Sequence, residues 1–206
     1  MTHRTASLVA VALLLAGAHP AQGQSRGYAG GAFGVAVDPQ TPTEVQVGGT
    51  TWTAAVMVGA AVSPRLGIEV EAAFDGDLDA ETYTYRPSPG PVEVETQGRR
   101  TLVTGLLRIR AGVVEPVIGL GVVHSTVRRH AAFTQGGGPY FDDARADNGL
   151  AFVSGLDIAA AVTPQVAIVP TLRVYVVDRG APPAFGNTAS AGPVLVHGGA
   201  GVRIRF

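Results

Sequence analysis

The sequence predicts an all-β fold in which eight antiparallel strands, in up-and-down order, close into a barrel. Three observations predict it. Apolar residues alternate with small or polar ones in eight separate segments, as expected where successive side chains point to opposite faces of a strand. The connections between the segments alternate between short turns and long loops, so every long loop falls at one end of an antiparallel meander. Finally, the charged residues inside the segments share a face with glycine, while valine, leucine and isoleucine share the other.

The elements follow in order. In residues 32–37, Phe33, Val35 and Val37 face one way and Ala32, Gly34 and Ala36 the other. Residues 52–63 set Trp52, Val56, Val58 and Val62 against Thr53, Met57 and Gly59. The alternation is sharpest in residues 66–74, where Leu66, Ile68, Val70 and Phe74 oppose Gly67, Glu69 and Glu71. Residues 100–110 put Val103, Leu107 and Ile109 opposite Thr104, Leu106, Arg108 and Arg110. Residues 117–127 set Ile118, Leu120 and Val122 against Gly119 and Gly121. In 150–162, Phe152, Leu156 and Ile158 oppose Gly155 and Asp157. In 166–177, Ile168, Leu172, Val174 and Val176 oppose Thr171, Arg173 and Tyr175. The last segment, 194–206, sets Val196, Val202, Ile204 and Phe206 against His197, Gly199, Gly201 and Arg203. Pro170 interrupts the seventh segment; it has no N–H for the ladder, and a bulge is expected there.

Residues 63–65, 111–115 and 163–165 form the short connections, and 38–51, 75–99, 128–148 and 178–189 the long ones. Short turns on one side and long loops on the other are the asymmetry of barrels that span bacterial outer membranes. Composition narrows the alternatives. The chain has 206 residues, no cysteine and a net charge of −1, with arginine as its only cationic residue besides histidine. Disulfide and thiolate chemistry are excluded, and no basic stripe suits nucleic acid. No stretch after the N-terminal region reaches the ~20 apolar residues of a membrane helix.

The N-terminus reads as an export signal over residues 1–23: Arg4, an apolar run over 6–18, then the small-x-small pattern Ala21-Gln22-Gly23. One barrel domain is expected over residues 24–206.

Residue size and charge decide which face meets lipid. A narrow eight-stranded interior needs small residues, and each buried charge in it needs a partner. Glycine and the charged set Glu69, Glu71, Arg108, Arg110, Asp157, Arg173 and Arg203 share one face. This is the expected interior charge network, with Glu69 and Glu71 paired to Arg108 and Arg110, and Arg173 to Asp157. The apolar face then meets the bilayer, and Trp52, Phe74, Phe152 and Phe206 fall near its two rims. The fold class is therefore a transmembrane barrel. The competing reading, a soluble lipocalin-like carrier of an apolar ligand in the periplasm, requires the faces to be exchanged.

The end of the chain, Gly199-Ala-Gly201-Val-Arg-Ile204-Arg-Phe206, resembles the C-terminal insertion signal of outer-membrane barrels, carried here by Gly201, Ile204 and Phe206. The first position of that signal is usually polar and is glycine here. With residues 62–71, 116–121 and 172–175, the chain resembles the small eight-stranded outer-membrane barrels typified by the transmembrane domain of outer membrane protein A and its single-domain relatives. The resemblance implies location in the cell outer membrane and a structural or surface-interaction role. It implies outer-membrane lipid and the barrel-assembly machinery as partners, an extracellular partner for the loops, and no cofactor.

Two segments carry residues suited to chemistry. Asp75, Asp77, Asp79 and Glu81 alternate as Ca²⁺ ligands can, but an EF-hand loop needs glycine and glutamate where Ala80 and Arg86 stand. A solvated acidic loop is the expectation. Some eight-stranded barrels deacylate lipid A through a His-x-Ser pair; His124 is instead followed at once by Ser125, so the two face opposite sides. No catalytic residue is expected.

Overall fold

The computed structural model describes residues 27–39, 49–79, 83–85, 91–133, 139–178 and 194–206. The expected signal peptide, residues 1–23, lies outside the described residues. The strands are β1 (Gly27–Asp38), β2 (Gly49–Ala61), β3 (Leu66–Asp75), β4 (Leu78–Asp79), β5 (Tyr83–Tyr85), β6 (Val92–Ile109), β7 (Val114–Phe133), β8 (Pro139–Ile158), β9 (Ala160–Ala161), β10 (Val166–Asp178) and β11 (Val194–Arg205). They pair antiparallel in the order β11-β1-β2-β3-β6-β7-β8-β10, and β10 pairs β11 to close the ring. The short β9 continues the stave of β8, so the barrel has eight staves. β4 and β5 pair with the stretch of β6 beyond β3, on the edge that β3 occupies within the barrel.

Glu69, Glu71, Arg108, Asp157, Arg173 and Arg203 are buried, whereas Leu120 (69%), Leu150 (67%) and Phe33 (65%) are largely exposed. A water-soluble carrier cannot present that face, and the faces are therefore those of a membrane barrel. The outward apolar run from Leu66 to Phe74 lies within the ten residues of β3. At about 3.3 Å per residue and the ~40° tilt usual for such barrels it covers roughly 23 Å, close to the ~25 Å of an outer-membrane belt.

Four strands are clearly longer than the alternation predicts, β1 because it begins at Gly27 rather than residue 32. β6 begins at Val92 rather than residue 100, β7 runs on to Phe133, and β8 starts at Pro139 rather than 150. Much of the two segments expected as loops, 75–99 and 128–148, is thus paired strand. The reason is a reversal of polarity along an unbroken strand. Within the belt β6 turns Val103, Leu107 and Ile109 outward; beyond it the outward residues are Glu93, Glu95, Gln97 and Arg99, and Val92 and Val94 are buried instead. A strand leaving lipid for water exchanges the chemistry of its two faces without changing its parity.

The bulge expected at Pro170 is not formed. Ile168↔Ala160 and Thr171↔Asp157 keep one register, so no residue is inserted. The missing N–H produces a gap instead, which separates β8 from β9 at Ala159, and Ala159 donates its own N–H to the Val113 carbonyl at 2.7 Å.

Candidate functional site

The short-turn half of the lumen holds a cluster of buried charges. Arg108, with no solvent-accessible surface, donates to Glu69 at 2.6 Å, to Glu115 at 3.0 Å and to the Tyr28 hydroxyl at 3.1 Å, and it also bonds Asp157. Asp157 accepts from Arg173 at 2.6 Å and from Arg203 at 2.9 Å, and Arg203 reaches Glu115 at 2.5 Å. Tyr28 donates to Glu69 at 2.8 Å, and the Arg203 guanidinium lies 4.9 Å from the centre of its ring. Gly59 makes room for that ring: a Cβ there would lie 2.4 Å from the tyrosine's Cζ and hydroxyl.

Glu71, expected beside Arg108, is not there. It accepts from the Tyr175 hydroxyl at 2.9 Å and pairs with Arg173 at 3.1 Å. Register explains the difference. Gly67 stands opposite Arg108, Glu69 opposite Leu106 and Glu71 opposite Thr104, so Glu71 is two positions further up the barrel than Glu69. Arg173, from the far wall, reaches both levels. Arg110 lies just past the end of β6, half-buried, and makes no ion pair with Glu69 or Glu71. Glu115 and Tyr28 belong to this cluster and are absent from the network expected on sequence grounds. Their period-two position is a usable signal, but Glu115 falls in a segment that reads as a turn and Tyr28 precedes the first alternating segment.

Further up, His197 Nε2 lies 3.3 Å from Asp75, the His197 ring leans on Tyr175 at 4.7 Å, and Arg100 bonds Asp38 at 2.5 Å. Leu102, Leu106, Val123, Val153, Val177 and Leu195 fill the other side of the lumen as an apolar plug. On the polar side is a cavity of about 20 Å³ lined by Thr53, Glu71, Arg173, Tyr175 and His197, room for about one water.

Among the described residues of the acidic loop, Asp75 and Asp77 point in different directions. Asp75 points into the lumen toward His197, while exposed Asp77 takes Arg99 at 3.0 Å and raises its guanidinium pKa above the usual value. Asp79 lies in β4; its side chain and Glu81 are outside the described residues. His124 faces outward and its Nδ1 shares a hydrogen bond with Asn148 at 2.8 Å, whereas Ser125 faces the other way. At the C-terminus Ile204 is exposed on the lipid face, Gly201 faces Ala32 of β1, and Phe206 exchanges backbone hydrogen bonds with Gly27 across the seam that closes the ring.

Above the belt, β6, β7 and β8 continue as a projecting sheet joined by β4 and β5. Val92, Val94 and Ala131 are buried against Phe133 on one face, and Leu78 packs against Val127. About ten residues of β7, from His124 to Phe133, rise past the lipid, which is roughly 30 Å of strand.

No protein-family model matches the chain, and neither does any curated protein sequence. Solved structures do. Ail, the attachment invasion locus protein of Yersinia pestis, is similar with a TM-score of 0.53 and 12% identity over 88% of this chain and 99% of that one. Ail in complex with the heparin analogue sucrose octasulfate gives 0.51 and 13%, with the same coverage. A major outer membrane protein from Thermus thermophilus gives 0.50 and 14%, over 87% of this chain and 99% of that one. The chain has the fold of the small outer-membrane barrels. In that barrel the lumen is a packed, charge-paired core, and the projecting sheet is the surface that stands clear of the membrane.

Proposed function

We propose that the chain is a non-enzymatic barrel of the bacterial outer membrane whose projecting sheet engages a partner outside the cell. The observation that carries this reading is the overshoot of β6, β7 and β8: membrane residence alone needs only the belt, yet these strands extend well past it with their own buried residues. The outward turn of His124, away from Ser125, supports a role without catalysis. Outer-membrane lipid covers the apolar belt, and the assembly machinery reads Gly201, Ile204 and Phe206 on the last strand. Ail was solved with a sulfated ligand. Among the described residues, the exposed carboxylate and guanidinium groups at the long-loop end are mainly acidic, Asp77, Glu93, Glu95, Asp142, Asp147 and Asp178 against Arg99 and Arg128. Like charges repel, so a sulfated polyanion suits this chain poorly and a neutral or basic partner suits it well.

The absence of cysteine makes the test direct. In intact cells a membrane-impermeant maleimide labels Glu95→Cys, and labels Arg65→Cys only after the outer membrane is permeabilised. The opposite pattern, or recovery of the chain in the soluble periplasm, refutes the placement. A chain with residues 126–146 replaced by a two-residue turn keeps a barrel that shifts on a heat-modifiability gel. If cells displaying it attach to protein-coated surfaces as well as wild type, the projecting sheet has no binding role.

A further inference from the structure

The two ends of the barrel differ in charge. Every exposed carboxylate side chain among the described residues lies at the long-loop end; in the three short connections, residues 63–65, 111–115 and 163–165, the one carboxylate is Glu115, which is buried and held by Arg108 and Arg203. These connections, the residue preceding the second and the last strand carry Arg65, Arg110 and Arg205, and none of these makes an ion pair with a described side chain. The backbones of Arg65 and Arg110 are held side by side, because the Arg110 N–H donates to the Arg65 carbonyl at 2.7 Å. The Ser63 hydroxyl accepts from the N–H of Arg65 at 3.3 Å and of Leu66 at 3.0 Å, which fixes the turn that presents Arg65. Arg110 Nε is buried, lacks an acceptor, and would lie 3.9 Å from a Cβ at Gly67 on the rim. Arg205 belongs to the stave on the opposite side of the ring, with its N–H tied to the Gln165 carbonyl at 2.7 Å. Among the described residues, no exposed carboxylate side chain lies on this rim; Glu115, across from Arg110 in the register, is buried and engaged by Arg108 and Arg203.

Two like charges carried on adjacent backbone positions disfavour each other unless an anion intervenes, and a donor left without an acceptor is costly. A phosphate diester supplies both the missing charge and the missing acceptor, and guanidinium groups match it with paired N–H donors. The rim lies where the apolar belt ends, at the level of lipid headgroups. The geometry points to a binding site for an anionic phospholipid headgroup at the short-turn rim, formed by Arg65 and Arg110. This rests on the membrane-spanning reading of the belt.

The experiment uses the full mature barrel, folded in a neutral maltoside detergent and checked by its heat-modifiability shift. Phosphatidylglycerol and phosphatidylcholine with identical acyl chains are titrated separately, and bound lipid is counted by native mass spectrometry. Phosphatidylglycerol binds several-fold more tightly, the preference shrinks as salt rises, and R65Q/R110Q removes most of it. Equal binding of the two lipids overturns the site, as does a preference unchanged in the double variant. Inorganic phosphate at millimolar concentration leaves the lipid preference in place; if it abolishes the preference, the rim is a free-anion site and the lipid assignment falls. Should the double variant lose its folded band, R65Q alone decides: this turn residue lies outside the strands, and it must lower the preference at least twofold. A wild-type chain with no heat-shifted band in any detergent or vesicle would instead defeat the membrane reading itself.

Discussion

Replacing Arg108 with methionine separates the contributions inside the lumen. The side chain is inaccessible to solvent and serves Glu69, Glu115, Asp157 and Tyr28 together. Its loss is not shared equally. Asp157 keeps Arg173 at 2.6 Å and Arg203 at 2.9 Å, and Glu115 keeps Arg203 at 2.5 Å. Glu69 keeps only the Tyr28 hydroxyl at 2.8 Å and Arg173 at 3.8 Å. The variant therefore strands one buried carboxylate, a situation that costs about 3–5 kcal/mol. Adding Glu69→Gln removes the stranded charge, so R108M/E69Q should regain about 2–3 kcal/mol of that loss, near the top of measured pairwise couplings. Adding Glu71→Gln should regain little, because Glu71 is held by Arg173 and Tyr175. Urea unfolding from lipid vesicles, followed by the fluorescence of the single tryptophan, measures all four chains. A loss below about 1 kcal/mol for Arg108→Met, or equal recovery from the two glutamine substitutions, would refute this account of the network.

Three further outcomes test the rest of the fold. Val58→Arg places a charge on the lipid face between Ala29 and Val70, near mid-belt, and should cost about 2–4 kcal/mol in the same unfolding assay; no measurable loss would mean that this face does not meet lipid. Gly59→Ala drives a methyl group into the Tyr28 ring and should cost about 1–3 kcal/mol, with heat-modifiability retained; a neutral result would show that Tyr28 can leave its place over the strand. Trp52 is half-exposed at the long-loop rim and stacks on Phe33 with ring centres 6.2 Å apart, so lipids brominated near the headgroup should quench its fluorescence more than lipids brominated near the chain end. Stronger quenching by the deep bromine would remove Trp52 from the aromatic girdle.

Sequence alone determined the class of the molecule, its strand parity and which face meets lipid, because these are local. In the belt a residue's partners are either lipid or a crowded lumen, and the choice of Val70 or Glu71 on successive positions records that environment directly. The projecting part of β6 is equally regular, with Val92-Glu93-Val94-Glu95, yet it reads as loop beside the belt pattern, since its apolar residues turn inward and the rule that holds in the belt reverses once lipid ends. Only the tertiary structure decided that the two patterns belong to one strand. It also decided the charge partners. Register brings Glu69 near Arg108, but the width of the lumen lets Arg173 cross from the opposite wall to Glu71 and lets Arg108, Asp157 and Glu115 meet although they come from different staves. Pairing in a closed barrel depends on strand stagger and diameter, which are properties of the whole ring, and no segment carries them by itself.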